Sequence, residues 1–193
     1  MSRPKFPITG DAAADELLVD NPLALLLGMM LDQQVPMEWA FAGPAKLASR
    51  LDGPLDAASI VALGPERVEE LFRQKPAMHR FPGSMGKRAF ALCQALVDDY
   101  GGDAAAVWNN AADGADLLRR LQALPGFGKE KAQIFVALLA KRIGVAPDGW
   151  REAAGPFGDD TPRSVADISS RQAFAAVRQW KQAQKQMNKT KAE

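Results

Sequence analysis

A short segment at residues 124–128 has the residue types of a turn that binds phosphate groups. It reads Leu-Pro-Gly-Phe-Gly. Because proline disfavours helix in the residue before it, we expect a helix to end near Pro125. Gly126 and Gly128 permit positive φ and leave the backbone uncovered, while Leu124 and Phe127 can pack inward and fix the turn. The next helix would then begin with its free amides pointing outward, where they suit a phosphate.

Two lysines follow the turn and strengthen this interpretation. Lys129 and Lys131 add positive charge beside the amino end of the second helix, which carries a partial positive charge of its own. Ala132 is small and lets the two helices approach closely. An ordinary corner between helices would also contain glycines, but the ordered string indicates a helix-hairpin-helix. Such a hairpin contacts DNA phosphates, which position a protein without reading sequence.

The sequence offers few ligands for a metal or a cofactor. Cys93 is the single cysteine and lies in an apolar helical stretch, so we expect a buried thiol. His79 is the single histidine, and we expect a surface side chain in a basic loop, with contact to a phosphate or a base as the alternative. One cysteine and one histidine cannot build the usual four-ligand zinc or iron–sulfur sites. We therefore expect no metal and no cofactor.

The charge is unevenly distributed along the chain. The formal net charge is only +1 at pH 7. Residues 1–72 carry 5 Lys/Arg against 11 Asp/Glu, a net of −6, and residues 73–193 carry 19 against 12, a net of +7. A basic second part can present a basic face to an anion while the whole stays near neutral. Random scatter over a solvated surface is the alternative.

The hydrophobic stretches are short. The longest apolar run, residues 23–31, is far too short to span a bilayer. Residues 1–7 lead into acidic residues rather than into an apolar stretch, unlike a signal peptide. We therefore expect a cytoplasmic, nucleoid-associated protein without a membrane partner.

The chain reads as mostly helix. Alanine and leucine dominate, β-branched residues are sparse and no alternating strand pattern persists, so we predict an all-α fold. Helix starts follow the cap-then-proline rule, as at Asn21 and Pro22. The predicted helices cover residues 22–32, 36–50 with a kink or interruption at Gly43 and Pro44, 56–63, 65–72, 84–100, 113–124, 129–143, 149–154 and 171–185.

Residues 124–132 resemble the hairpin of the HhH-GPD superfamily of base-excision DNA glycosylases, of the AlkA and endonuclease III type. Residues 25–35 resemble the early helix and glutamine turn of AlkA-like members, and residues 84–89 resemble a helix start that often carries a Lys-Ala pair. About residues 20–165 can be laid on the family's helical scaffold. The chain is most similar to a bacterial branch that lacks an iron–sulfur cluster.

The resemblance implies a two-lobed all-α fold. A barrel-like lobe would comprise residues 20–144, with the helix-hairpin-helix at residues 116–142. A second lobe would be formed by both termini, residues 1–19 and 145–193. DNA would lie across the cleft between the lobes.

The resemblance also implies a catalytic acid. The family places an aspartate after the second hairpin helix, and Asp148 stands where it would fall, 18 positions beyond Glu130. That spacing fits the endonuclease III arrangement, whereas the local Pro-Asp pair is closer to AlkA. The alternative role of Asp148 is to cap the short helix that starts at Gly149. Asp159 and Asp160 are alternative acids.

Bifunctional members of the family carry a nucleophilic lysine at the seventh position of the hairpin string. This sequence has Glu130 there. Lys129 and Lys131 flank it, but on a helix they point about 100° to either side. The departure favours a glycosylase without lyase activity, in which water is the nucleophile.

Amide and aromatic side chains are candidates for contact with a displaced base. Gln33 and Gln34 stand in a turn between helices, where amides can fill the gap left by a flipped base; simple solvation is the alternative. Trp39, Phe41, Phe81 and Trp150 could stack on the base, or belong to the core. Trp150 is favoured for the base pocket because it neighbours the candidate acid.

We therefore expect a monomer that binds double-stranded DNA and removes a damaged base, such as an alkylated one, by hydrolysing its N-glycosidic bond. Asp148 would stabilise positive charge on the sugar and orient the attacking water. One alternative is a non-catalytic DNA-binding protein on a glycosylase scaffold. Another is an interaction protein that uses the hairpin for packing only.

Overall fold

The structure is a computed structural model that describes residues 5–190, with side chains up to residue 188. Helices make up 66% of the structure, and residues 5–190 contain no β-strand. The α-helices are α1 (Ala12–Asp20), α2 (Pro22–Leu31), α3 (Met37–Ala48), α4 (Ala57–Leu63), α5 (Pro65–Arg73), α6 (Pro82–Tyr100), α7 (Ala106–Asn109), α8 (Gly114–Gln122), α9 (Lys129–Leu138), α10 (Trp150–Ala153) and α11 (Arg171–Thr190). The all-α prediction is confirmed.

Side-chain caps begin several helices where the sequence predicts them. The Asn21 side chain accepts a hydrogen bond from the Ala24 amide at 3.0 Å, directly before Pro22 at the first position of α2. Asp56 and Asp113 cap α4 and α8 in the same way. These bonds satisfy amides that the first turn of a helix leaves without a partner.

Several helices differ from the predicted ones, and the short α7 is not predicted at all. No helix is predicted over α1, although Asp11 caps it and Ala14 and Leu18 bury one of its faces. α3 continues through Pro44 without interruption. That proline is buried in the core, and packing offsets the backbone hydrogen bond that proline removes. α11 continues past its predicted end, to Thr190.

α2 lies at the centre of the core, and all its residues from Leu23 to Leu31 are buried. It packs closely on α3: a Cβ added to Gly28 would lie 2.6 Å from the Phe41 ring, and one added to Gly43 would lie 2.5 Å from the Leu31 side chain. Among the helices of residues 5–190, none has the length and apolar character of a membrane span. The apolar run is a core helix.

The part after α9 packs back onto the hairpin helices. α9 ends in a π-helical turn, Leu139–Ile143, and the Lys141 ammonium pairs with the buried Asp167 carboxylate at 2.7 Å. One hydrophobic core includes buried side chains from Phe6 to Val177. The division into two lobes stays a prediction, and its residues 1–4 and 191–193 lie outside the described part.

Candidate nucleic-acid interface and adjoining polar residues

The predicted hairpin is formed by α8, α9 and the turn between them. Leu124 and Phe127 are buried, as expected, and the Phe127 amide donates to the Leu124 carbonyl at 3.1 Å. The Phe127 ring meets the Phe135 ring edge-on, with centroids 5.7 Å apart. These contacts fix the turn against the core.

The two glycines of the turn have different roles. Gly126 has φ +86°, and a Cβ there would lie 3.0 Å from Cγ of Met30. Gly128 has φ −73°, is exposed, and has no atom within 4 Å of a Cβ built on it. Only Gly126 therefore needs the conformational freedom of glycine. Gly128 instead keeps the surface around α9 open.

α9 begins without a side-chain cap. Its first hydrogen bond runs from the Ala132 amide to the Gly128 carbonyl at 2.9 Å, so the preceding amides have no partner within the helix. Gly128, Lys129 and Glu130 are exposed. Glu130 is a first-turn acid that complements the helix dipole. This end of α9 can accept an anion such as a phosphate.

Lys131 turns away from solvent, unlike Lys129. Its ammonium donates to the Met30 carbonyl of α2 at 2.9 Å. Burial lowers the pKa of Lys131 to about 8, against the opposing effect of the Asp32 carboxylate, and Arg88 lowers it further. Lys131 thus links the hairpin to the end of α2.

Asp32 is a half-buried acid at the end of α2, and no role is predicted for it from the sequence. Burial raises the pKa of Asp32, and Glu38 raises it further, while Lys181 and Lys131 favour the charged form. The one signal available in the sequence is a charged residue immediately after a nine-residue apolar run.

Gln33 and Gln34 follow Asp32 and differ sharply from each other. The side-chain Nε2 of Gln33 donates to the Met30 carbonyl at 3.0 Å, and its side-chain oxygen accepts from the Arg88 guanidinium at 3.0 Å. Gln34 is exposed and has φ +55°, a left-handed conformation that non-glycine residues rarely adopt. Gln33 is therefore held in place, whereas the exposed Gln34 side chain can contact a ligand.

His79 is buried, so the surface position expected for it is wrong. Its Nδ1 accepts the Phe81 amide at 3.0 Å, which leaves Nε2 to donate to the carbonyls of Leu31 (3.2 Å) and Gln33 (3.0 Å). Burial lowers the pKa of His79. The neutral ring thus fastens the turn at residues 31–34 to the start of α6.

Two exposed aromatic side chains flank His79. Trp39 is 38% exposed and Phe81 is 42% exposed. Their ring centroids lie 6.5 Å and 6.2 Å from the His79 ring. Arg80 lies over the Phe81 ring at 5.4 Å. Together they form an aromatic and basic surface beside the glutamine turn.

Asp148 and Trp150 lie elsewhere. The Gly114 amide at the start of α8 donates to the Asp148 carbonyl at 2.7 Å, whereas the hairpin turn follows the opposite end of α8. A nine-residue helix is about 13 Å long. The cap residue of α10 is Gly149, without a side-chain hydrogen bond, so the predicted capping role of Asp148 is wrong. Arg151 lies over the Trp150 ring at 4.5 Å.

The alternative acids have surface positions. The Asp159 carboxylate pairs with Arg163, and Asp160 is exposed. Residues 146–152, which include Asp148, line a separate surface hollow. In the described part of the chain, no group of three His, Cys, Asp or Glu side chains is placed to hold a metal.

The structure thus brings one set of predicted residues together and leaves another apart. Gly126 and Lys131 lie against Met30 at the end of α2, which Gln33 and Gln34 follow. Trp39 of α3 lies near this turn through its ring contact with His79. Asp148 and Trp150 belong to the separate hollow. No protein-family model, curated protein or solved structure matches this chain.

Proposed function

We propose that the protein binds double-stranded DNA through the hairpin and hydrolyses the N-glycosidic bond of a damaged base displaced from the duplex. We further propose that its fold is that of the HhH-GPD glycosylases. The observation that carries this proposal is the hydrogen bond from Lys131 to the Met30 carbonyl. It joins the start of α9, which we propose to bind phosphate, to the end of α2, next to the glutamine turn.

The hairpin suits the phosphate backbone. The uncapped start of α9, the open surface at Gly128 and the exposed Lys129 supply donors and charge for one strand. The net charge of +7 over residues 73–193 extends the attraction. Binding of this kind should show little sequence preference and a steep dependence on salt.

The glutamine turn suits a displaced base. Gln34 can occupy the gap in the duplex, and Trp39 and Phe81 offer exposed rings on which an unpaired base can stack. His79 and Gln33 hold the turn from beneath, so the surface is preorganised.

Water is the nucleophile in this proposal. Glu130, in the position of the family's lysine, is exposed and carries no amine. The Lys131 pKa of about 8 leaves this amine mostly protonated at pH 7, and its ammonium is held by a backbone carbonyl. The expected product is an abasic site on an unbroken strand.

A base-release screen tests the proposal. Duplexes with alkylated, deaminated or oxidised bases are incubated with the protein, and products are resolved with and without alkali. Strand breaks that need alkali support a monofunctional glycosylase. Trapping of a covalent complex by borohydride would instead identify an amine nucleophile and contradict the proposal that water attacks.

A non-catalytic DNA-binding protein is the second candidate. The observation that favours it is the distance of Asp148 from the hairpin, along the whole of α8. DNA binding without release of any base in the screen would support it. A protein that uses the hairpin for packing only would bind no DNA, and hairpin variants would leave its behaviour toward DNA unchanged.

A further inference from the structure

The end of α2 places a carboxylate where electrostatics disfavours one. α2 consists of apolar residues and proline, and Asp32 caps its carboxyl end, where the helix dipole is already negative. The side chain is also half-buried. Local rules broken in this way are typical of functional sites, because stability alone would select another residue.

Lysines on two separate helices act electrostatically on this carboxylate. Lys131 of α9 and Lys181 of α11 both favour its ionised form. Lys131 is itself fixed by its bond to Met30, two residues before Asp32. Glu38, the nearby acid, is occupied by an ion pair with Arg178 at 3.2 Å. Within the described residues, burial and charges alone shift the pKa of Asp32, without a side-chain hydrogen bond.

We propose that Asp32 is the catalytic carboxylate of this site and faces the sugar of the displaced nucleotide. Lys131 is its positioning residue. This inference rests on the proposed function. As the C1′–N bond breaks, its electron pair leaves with the base and positive charge develops on the sugar. The Asp32 carboxylate stabilises that charge and accepts a proton from the attacking water. The water oxygen bonds to C1′, and the proton passes through solvent to the departing base.

The position of the hairpin favours Asp32 over Asp148. DNA held at the start of α9 places its sugar–phosphate chain beside the residues that Lys131 contacts, at the end of α2. Asp148 lies at the far end of α8, about 13 Å away along the helix. Asp32 is also followed directly by the two glutamines of the turn. The proposed carboxylate and Gln34, which would occupy the gap left by the displaced base, therefore lie on one short segment.

A binding experiment tests the assignment without requiring turnover. Two duplexes are compared, one with a neutral tetrahydrofuran abasic analogue and one with a pyrrolidine analogue, whose protonated ring nitrogen mimics the charged sugar. We expect the wild-type protein to bind the pyrrolidine duplex about 10-fold or more tightly than the neutral one. Asp32→Asn should abolish the preference while leaving affinity for the neutral duplex within about 3-fold. Asp148→Asn should retain it.

Matched variants separate positioning from folding. Lys131→Met should reduce the pyrrolidine preference, and Lys131→Arg should restore part of it, whereas Lys129→Met should lower affinity for both duplexes equally. Asp32→Ser provides a second neutral variant, and each variant is checked for a cooperative thermal transition.

Each outcome decides the assignment. A preference that survives Asp32→Asn overturns it, and loss of preference in Asp148→Asn instead returns the role to that residue. Equal binding of both duplexes by the wild-type protein overturns Asp32 as the acid but leaves DNA binding by the hairpin in place. Failure to bind either duplex contradicts the proposed function itself, and the assignment falls with it.

Discussion

Asp32 is held at a cost to stability, and that cost can be measured. Because burial raises the pKa of Asp32 despite two nearby cations, the folded state disfavours its charge at neutral pH. We predict that Asp32→Asn raises Tm at pH 7, by roughly 2–4 °C for each 1 kcal/mol relieved. Asp148→Asn, at an exposed position, should leave Tm unchanged. A lower Tm for Asp32→Asn would show that the carboxylate stabilises the fold.

His79 gives the protein a dependence on pH with a defined sign. Its pKa is lowered in the folded state, so the unfolded chain takes up the proton first as pH falls. The stability it provides is complete above about pH 6.5 and is lost below that value, by up to about 1.4 kcal/mol per pH unit, until the folded pKa is reached.

Denaturation between pH 5 and 8 measures this effect. Asp32 contributes in the opposite direction, because a raised carboxyl pKa favours the folded state as pH falls. Because Asp32 also titrates, His79→Gln serves as the control that isolates the histidine: it retains a hydrogen-bond donor for the turn but does not titrate. If the variant loses stability with acid as steeply as the wild-type protein, His79 is not the group responsible.

Among the structural elements, we expect the two glycines of the hairpin turn to affect different properties: Gly126 the stability of the fold, and Gly128 the binding of DNA. Gly126→Ala forces a side chain into positive φ against Met30, and we predict a loss of about 1–2 kcal/mol or more in the free energy of unfolding. Gly128→Glu meets no atom and should leave stability within about 0.5 kcal/mol.

Affinity for DNA, unlike stability, should depend on the substitution made at Gly128. Gly128→Glu adds bulk and negative charge at the open start of α9 and should weaken binding at least 10-fold, whereas Gly128→Ala should change it little. Titrations with a labelled duplex provide the measurement. Unchanged affinity in Gly128→Glu would exclude the start of α9 as a phosphate contact.

Much of this arrangement follows from the sequence. The Leu-Pro-Gly-Phe-Gly string predicts the turn with both its buried residues, and Asn21, Asp56 and Asp113 mark helix starts, because caps and turns depend on local chemistry. α1 is not predicted, since its helix depends on burial of Ala14 and Leu18 by the rest of the fold.

The polar contacts around the glutamine turn join residues that are distant in sequence. Lys131 and Met30 are separated by 101 positions, and His79 reaches Leu31 across 48. No local pattern indicates that the second lysine of the hairpin turns inward, or that the single histidine is buried. Asp32 is therefore found only once α2, α6 and α9 are placed side by side.

At the scale of the whole molecule, an acidic first part and a basic second part share one core. The predicted consequence is binding that weakens steeply with salt: the slope of log K against log salt should be about −0.9 per phosphate contact. Lys129→Met should reduce the size of that slope by about 1. Binding independent of salt would contradict a phosphate interface.

The decisive measurement is release of a base by the wild-type protein, with Asp32→Asn and Gly128→Glu assayed in parallel. We expect an abasic product that needs alkali for strand breakage. For Asp32→Asn we expect a fall on the order of 100-fold in single-turnover rate, comparable to the loss of one preorganised electrostatic group. For Gly128→Glu we expect a loss of activity that higher protein concentration restores. Release of no base from any damaged duplex, or full activity of both variants, would show that the protein does not act as a glycosylase through these residues.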